Sequence, residues 1–208
     1  MSFPQAHILY LHGFLSSPMS AKAQQMRQYI ALHFPHIQLH MPQLSGIPAL
    51  AVKQATDRFI ALQSAYGEQL LGVVGSSMGG FLATHLIEHV SAPGYAPKAV
   101  LINPAVAPHR LFPEYIGEHT NPYSHEKFTL TQADIGAIEQ RYIDHIQRPN
   151  QFQVWLQTGD EVLDYQLAKV LYHASDTHIR AGGDHAYQDF SRELPAICEF
   201  LMCERFAQ

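Results

Sequence analysis

A five-residue pattern, Gly75-Ser76-Ser77-Met78-Gly79, constrains this chain more than any other. It matches G-x-S-x-G, and its setting is the one that pattern requires: an apolar run before it and helical spacing after it. The run, centred on Val73-Val74, reads as a strand buried on both faces. A serine on the sharp turn from strand to helix takes a strained backbone conformation, and side chains two residues to either side would collide. Gly75 and Gly79 remove those side chains, and Gly80 is expected to let the new helix pack close to the sheet. Ser77 is thereby raised above the strand's carboxyl end, at the positive end of the following helix. A glycine-rich turn with no chemistry would carry the same letters, so the rest of the chain has to decide.

Strand and helix signals alternate along the chain. His7–Leu11 reads as the first strand, and a helix opened by Pro18 runs to about Phe34 on Ala23, Met26 and Ile30. Ile37–Met41 is the second strand, ended by Pro42, and a helix follows from about Ile47 to Tyr66. The Ser77 strand comes next with its helix to about Val90, then a Pro- and Gly-rich loop, then the strand Ala99–Ile102. Thr131-Gln-Ala-Asp134 reads as a capping box opening a helix with Ile135, Ile138, Tyr142 and Ile146 on one face. Phe152–Thr158 is a fifth strand, and Asp164 caps a helix to about Ala174. Thr177–Arg180 is a sixth, and a last helix spans about Phe190 to Phe206. Six such alternations predict an α/β fold: a doubly wound, six-stranded parallel sheet with helices on both faces. Ligands of such sheets bind beyond the strands' carboxyl ends.

The reactive residues fall at that edge. His12-Gly13, Ser77, Asp160 and His185 each lie just past a predicted strand. A serine hydroxyl needs a base to take its proton, and the base needs a carboxylate to orient it and stabilise its cation. Ser77, Asp160 and His185 appear in the order Ser, Asp, His. Glu161 and Asp164 are rivals for the acid, but Asp160 directly follows Gly159 at a strand end and Asp164 already serves as a helix cap. Alone, His185 would read as a surface-loop histidine; beside Ser77 and Asp160 it reads as the base. Two N–H donors are needed for the oxyanion. Met78 supplies one and the loop after the first strand the other, assigned to Phe14 with Leu15 as alternative. His12 is expected to hold that loop and not to act as a base. His85-Leu-Ile-Glu88-His89 matches H-x-x-E-H, but its helix leads away from the strand ends and shows no third ligand, so no metal site is expected and two solvated histidines are.

Composition limits the alternatives. At 208 residues the chain suits one domain, 1–208, with enough interior to fold without staples. A net charge of −5 without a long basic run gives no support to a nucleic-acid or anionic-membrane role. The two cysteines, Cys198 and Cys203, point apart on a helix, so no disulfide is expected between them and a reducing cytoplasm fits. No signal peptide and no membrane span are read.

These residues resemble the α/β-hydrolase superfamily over nearly the whole chain, and more narrowly the small bacterial YqiA-type esterases. The carrying stretches are Ile8–Ser17, Gly75–Phe81, Leu101–Val106, Asn121-Pro-Tyr123, Thr158–Tyr165 and Gly183-Asp-His185. The resemblance implies a cytoplasmic esterase acting on acyl esters or thioesters, with no cofactor. The chain lacks room before His7 for the superfamily's usual leading strand pair, so a reduced sheet of order 2-1-3-4-5-6 is expected.

The leading expectation is a serine carboxylester hydrolase for short- to medium-chain esters. Two other readings use the same residues: an acyl-CoA thioesterase, for which Arg110 and Lys127 would meet the phosphates, and a silent binding protein on the same scaffold. The connection from Asn103 to Arg148 is too long for a simple loop. Residues 105–148 are expected to cover the site, with Leu15, Leu111, Phe112, Tyr115 and Tyr123 walling a modest apolar pocket that favours short acyl chains.

Overall fold

The computed structural model describes residues 5–92 and 94–202. Its elements run β1 (Ala6–Leu11), α1 (Ala21–His33), β2 (Ile37–His40), α2 (Pro48–Tyr66), β3 (Leu70–Ser76) and α3 (Met78–His85), which continues as a π-helical turn, Leu86–Val90. Then come β4 (Lys98–Ile102), α4 (Pro108–Leu111), β5 (Gly117–Thr120), β6 (Lys127–Leu130), α5 (Gln132–Glu139), β7 (Phe152–Gln157), α6 (Tyr165–Leu171), β8 (Asp176–Arg180) and α7 (Leu194–Met202). Six strands form one parallel sheet in the order β2-β1-β3-β4-β7-β8, the expected order once the β5–β6 pair is set aside.

Strand alternation explains why the sheet is covered on both sides. Leu9, Val73, Leu101 and Val154 point to one face, where α2, α3, α5 and α6 bring Phe59, Leu82, Ile135 and Ala168. Their neighbours Ile8, Val74, Val100 and Trp155 point to the other, against Met26 and Ile30 of α1 and Ile197 and Leu201 of α7. Inner strands buried on both sides read as continuous apolar runs for this reason.

Four boundaries differ from the sequence expectation. Pro18 does not open α1: the Ser17 hydroxyl takes the Met19 N–H at 2.9 Å and Ser20 N–H bonds to the Ser17 carbonyl at 3.1 Å, a turn that delays the helix to Ala21. The capping box of Thr131 and Asp134 does open α5, but the helix stops at Glu139 and not near Ile146. The Arg141 guanidinium donates to the Ala137 carbonyl at 2.7 Å there, while Ile143 and Ile146 are still buried, outside any helix. α6 ends at Leu171 and α7 opens at Leu194 after the 3-10 turn Phe190–Arg192. The expected end of α7 at Phe206, and Cys203 of the cysteine pair, lie outside the described residues. No helix among the described residues is long and apolar enough to cross a membrane.

Candidate active site

All sheet strands run the same way, so the residues following β1, β3, β4, β7 and β8 meet at one edge. Ser77 sits there with φ +56° and ψ −121°, the conformation expected on a strand-to-helix turn. Its carbonyl accepts the N–H of Gly80 at 2.8 Å and of Ala105 at 3.0 Å, and its own N–H donates to the Ile102 carbonyl at 3.1 Å. A Cβ on Gly75 would strike the Gly79 carbonyl, and one on Gly79 the Leu11 carbonyl. At Gly80 a second close approach is added to the expected one: a Cβ would meet Pro104 of the loop after β4, 2.5 Å from its Cβ, while the Gly80 Cα itself would lie 2.8 Å from a Cβ on Gly75 of β3.

Ser77, Asp160 and His185 come together. The Ser77 hydroxyl lies 3.0 Å from His185 Nε2, and His185 Nδ1 lies 3.0 and 2.9 Å from the two Asp160 carboxylate oxygens. A carboxylate can only accept, so Nδ1 carries the proton and Nε2 is free to take one from the hydroxyl. Asp160 Oδ1 also accepts the N–H groups of Val162 (2.9 Å) and Leu163 (2.8 Å). Burial alone would raise the Asp160 carboxyl; the hydrogen bond from His185, the Leu163 amide, the charge of a protonated His185 and the Val162 amide outweigh it and hold the group below its ordinary value. The rivals have other tasks. Asp164 caps α6 by accepting the Gln166 N–H at 2.9 Å, and Glu161 accepts the backbone N–H of His185 at 3.0 Å.

The loop carrying His185 has no regular structure of its own, and side chains from four other segments fix it. Gln157 Oε1 accepts the N–H groups of Asp184 (3.1 Å) and Gln188 (2.9 Å), and its Nε2 donates to the Gln188 carbonyl at 2.9 Å. Asn103 Nδ2 donates to the Asp184 carbonyl at 3.0 Å, while its Oδ1 accepts the Gln157 N–H at 2.9 Å. Glu161 takes the His185 amide, and the Lys22 ammonium donates to the Ala186 carbonyl at 2.7 Å. Desolvation pulls Lys22 down to about 8, against the opposing pull of Asp184 and Asp160. Sequence reasoning missed Gln157, Asn103 and Lys22 in this role and weighed Glu161 only as a rival acid. The available signals were a glutamine ending an otherwise apolar inner strand and an asparagine closing another, since a buried amide has to find partners.

His12 is buried and locked as a neutral tautomer: Nε2 accepts the Leu44 N–H at 3.0 Å, so Nδ1 donates to the Gly13 carbonyl at 2.9 Å. A Cβ on Gly13 would lie 3.1 Å from the Ser77 Cβ, so this loop passes directly against the serine. Met78 opens α3, and its N–H has no intrahelical carbonyl to meet. The Phe14 ring joins the first loop to the covering segment, edge-on to Phe112 (5.0 Å) and Phe128 (5.9 Å). That segment contains α4, α5 and an antiparallel hairpin, β5 with β6, which was not among the expected elements. Asn121 ties the hairpin down by donating to the Ser16 carbonyl at 2.9 Å.

A chamber of about 230 Å³ opens above Ser77 and His185, and Leu15, Leu111, Phe112 and Tyr115 are among its walls. Tyr123 is not. It is 48% exposed in the β5–β6 turn, where its N–H donates to Asn121 Oδ1 at 2.8 Å, so the expectation that it walls the pocket is corrected. Of the two histidines expected to be solvated, His89 is exposed, but His85 is half-buried and its imidazole is pulled down to about 4 by burial, His89 and Arg141. Glu88 between them is buried and accepts the N–H groups of Gln147 and Arg148, both at 3.1 Å. Among the described residues no three His, Cys, Asp or Glu side chains converge as a metal site.

Solved structures share this architecture. Est1E from Butyrivibrio proteoclasticus, determined with bound ferulic acid, superposes with a TM-score of 0.71 at 12% identity, covering 99% of this chain and 91% of that one. The alpha/beta hydrolase domain-containing protein 10 from mouse gives 0.66 at 18% identity, covering 98% and 92%. The esterase domain of a Rhodothermus marinus protein gives 0.65 at 17% identity, covering 98% and 87%. At these identities the likeness establishes the α/β-hydrolase fold. The model of one uncharacterised protein family, UPF0227, matches residues 7–202, and with nearly the whole chain matched, this protein belongs to that family.

Proposed function

We propose that this protein is a serine carboxylester hydrolase that cleaves acyl esters through an acyl-enzyme. One observation carries the reading: a single imidazole, that of His185, bridges a buried carboxylate and a hydroxyl on a strained strand-to-helix turn, at 2.9 and 3.0 Å. In this reading the Ser77 oxygen attacks the ester carbonyl carbon while its proton passes to His185 Nε2. Asp160 holds the ring and stabilises the imidazolium that forms. The carbonyl electron pair moves onto the oxygen, met by the N–H groups of Phe14 and Met78. As the carbonyl re-forms, the alcohol leaves with the proton from Nε2. Water then repeats the sequence, releasing the acid and restoring the Ser77 hydroxyl. The chamber walls of Leu111, Phe112 and Tyr115 suit an apolar group beside the carbonyl.

The experiment is hydrolysis of p-nitrophenyl esters together with labelling by a fluorophosphonate. Turnover with label on Ser77, both absent in Ser77→Ala, is expected. No turnover and no label on the wild-type protein would overturn the reading and leave the silent binding protein in its place.

The thioesterase reading keeps one observation: Arg110 is exposed at the rim next to this chamber, with its guanidinium 5.8 Å from the Tyr142 ring centre. A selective loss of acyl-CoA turnover in Arg110→Ala, with simple esters spared, would favour it. The second expected cation, Lys127, lies exposed on β6 and outside the walls of both chambers.

A further inference from the structure

A second chamber, of about 190 Å³, adjoins the one above Ser77. The two have Ala105, Pro108, Leu111, Val162 and Leu163 in common, so they form one groove between α4 and the start of α6. The far part is bounded by Pro104, Val106, Ala107 and Leu167, with Arg110 and Asp164 at its exposed rim. Each chamber alone falls below the roughly 300 Å³ at which small-molecule sites usually begin, and only the joined groove reaches that range.

We infer that the groove receives one long, unbranched apolar arm of the ester, running from the scissile carbonyl at Ser77 past Leu111 and Leu163 to Leu167. The inference rests on the ester-hydrolase reading and extends it, because the chamber next to Ser77 considered alone leads to the expectation of short chains. The walls argue for an apolar arm. Apart from the two rim charges, every residue bounding the far chamber is a proline or an aliphatic. Of the rim charges, Asp164 is engaged by the Gln166 N–H, and Arg110 lies over the Tyr142 ring. Val162 and Leu167 remain 39% and 50% exposed, apolar surface that an alkyl chain would cover. An anionic arm would meet only aliphatic walls along the groove.

Two ester series tell which arm is meant: p-nitrophenyl acetate, butanoate and octanoate vary the acyl side, and ethyl and octyl acetate vary the alcohol side. In one series kcat/KM of the wild-type protein is expected to rise with length, by up to roughly four-fold per methylene buried. Leu167→Glu puts a carboxylate on the far wall from a half-exposed position on α6, and Ala107→Trp fills the space. Each is expected to lower the long-to-short ratio of kcat/KM by about ten-fold or more. Octanoate binding by calorimetry supplies a readout that needs no turnover and is expected to weaken in Leu167→Glu. Should Ala107→Trp fail to fold, Leu167→Glu decides. A wild-type rate that falls with length in both series would overturn the inference, as would a ratio and octanoate affinity unmoved by Leu167→Glu. If no ester is hydrolysed but octanoate binds and Leu167→Glu weakens it, the hydrolase reading fails and the groove stands.

Discussion

The side-chain amide of Gln157 occupies the space that a Cβ on Gly183 would need, and Gly183 holds φ at +76°. Gln157 ends β7, the strand that leads to Asp160; Gly183 opens the loop that carries His185. The same amide bonds both ends of that loop, at Asp184 and Gln188. The strand leading to Asp160 thus holds the loop of His185 through one side chain.

Gln157→Leu should therefore take their side-chain partner from two N–H groups and one carbonyl of this part-buried loop, at a cost of up to about 1–3 kcal/mol for each group that water does not reach. Beyond a lowered melting temperature, kcat is expected to fall roughly ten- to a hundred-fold with KM nearly constant, because a displaced imidazole weakens proton transfer and not ester binding. Gln157→Glu keeps the acceptor and should recover part of the rate. Gly183→Ala should show a similar loss, and combining it with Gln157→Ala should be less than additive, since the shorter side chain removes the collision but not the positive φ. Full additivity, or a loss confined to KM, would count against this positioning role.

Ser77 stores backbone strain that the proposed chemistry uses and folding does not need. At φ +56° and ψ −121° an L-residue is held at a cost of roughly 1–3 kcal/mol. Ser77→Gly should remove that strain and raise the melting temperature while abolishing turnover; Ser77→Ala should abolish turnover without the gain. Thermal melts of the two variants beside the wild type test this directly.

Acid should destabilise the protein through its histidines. Arg58 donates to His40 Nδ1 at 2.8 Å, so His40 Nε2 donates to His7 Nδ1 at 3.0 Å, and the chain of bonds holds only with both rings neutral. Burial, Arg58 and His7 pull His40 down to about 4; burial, His89 and Arg141 do the same to His85. His7, His12 and His109 are lowered too, each chiefly by burial. Between about pH 6.5 and 4 the unfolded chain then binds more protons than the native one, so stability rises with pH through this window and is lost as pH falls. Melting temperatures should drop steadily from pH 7 to pH 4.5, and the slope should flatten in His40→Gln. An unchanged slope in that variant would remove His40 from the account.

The sheet was legible because its inner strands are apolar on both faces: Val73 and Val74, or Val100 and Leu101, fill opposite cores, and no polar pattern competes. The placement of Ser77, Asp160 and His185 was legible because a parallel sheet sends every strand's carboxyl end to one edge. The covering segment was not. β5 and β6 are four residues each, and Gly-Glu-His-Thr carries almost no strand signal; only Phe128 and Leu130, alternating with exposed Lys127 and Thr129, hint at it. Such a hairpin is held by tertiary contacts, Asn121 on Ser16 and Glu126 on the Ser45 hydroxyl and the Gly46 N–H, which no local window contains. Gln157 and Asn103 were missed for a related reason, since their partners lie 27 to 81 residues further along the chain.

Tyr115 and Tyr123 were expected to act alike, and their different surroundings now separate them. Tyr115 walls the chamber with Phe14 and Phe112, its ring 6.0 and 6.2 Å from theirs, and its carbonyl accepts a bond from His119 at 2.6 Å. Tyr123 is half exposed in the β5–β6 turn and takes part through its backbone. Tyr115→Ala should widen the chamber beside Ser77 and shift the chain-length profile of kcat/KM, with the bulkier acyl groups gaining over acetate by several-fold. The lost ring contacts should also cost about 1–3 kcal/mol of stability. Tyr123→Ala should leave the profile where it is and change stability by less than about 0.5 kcal/mol, as exposed positions do. A profile shifted by Tyr123→Ala and not by Tyr115→Ala would mean that the pocket's wall is the hairpin turn and not the segment between α4 and β5.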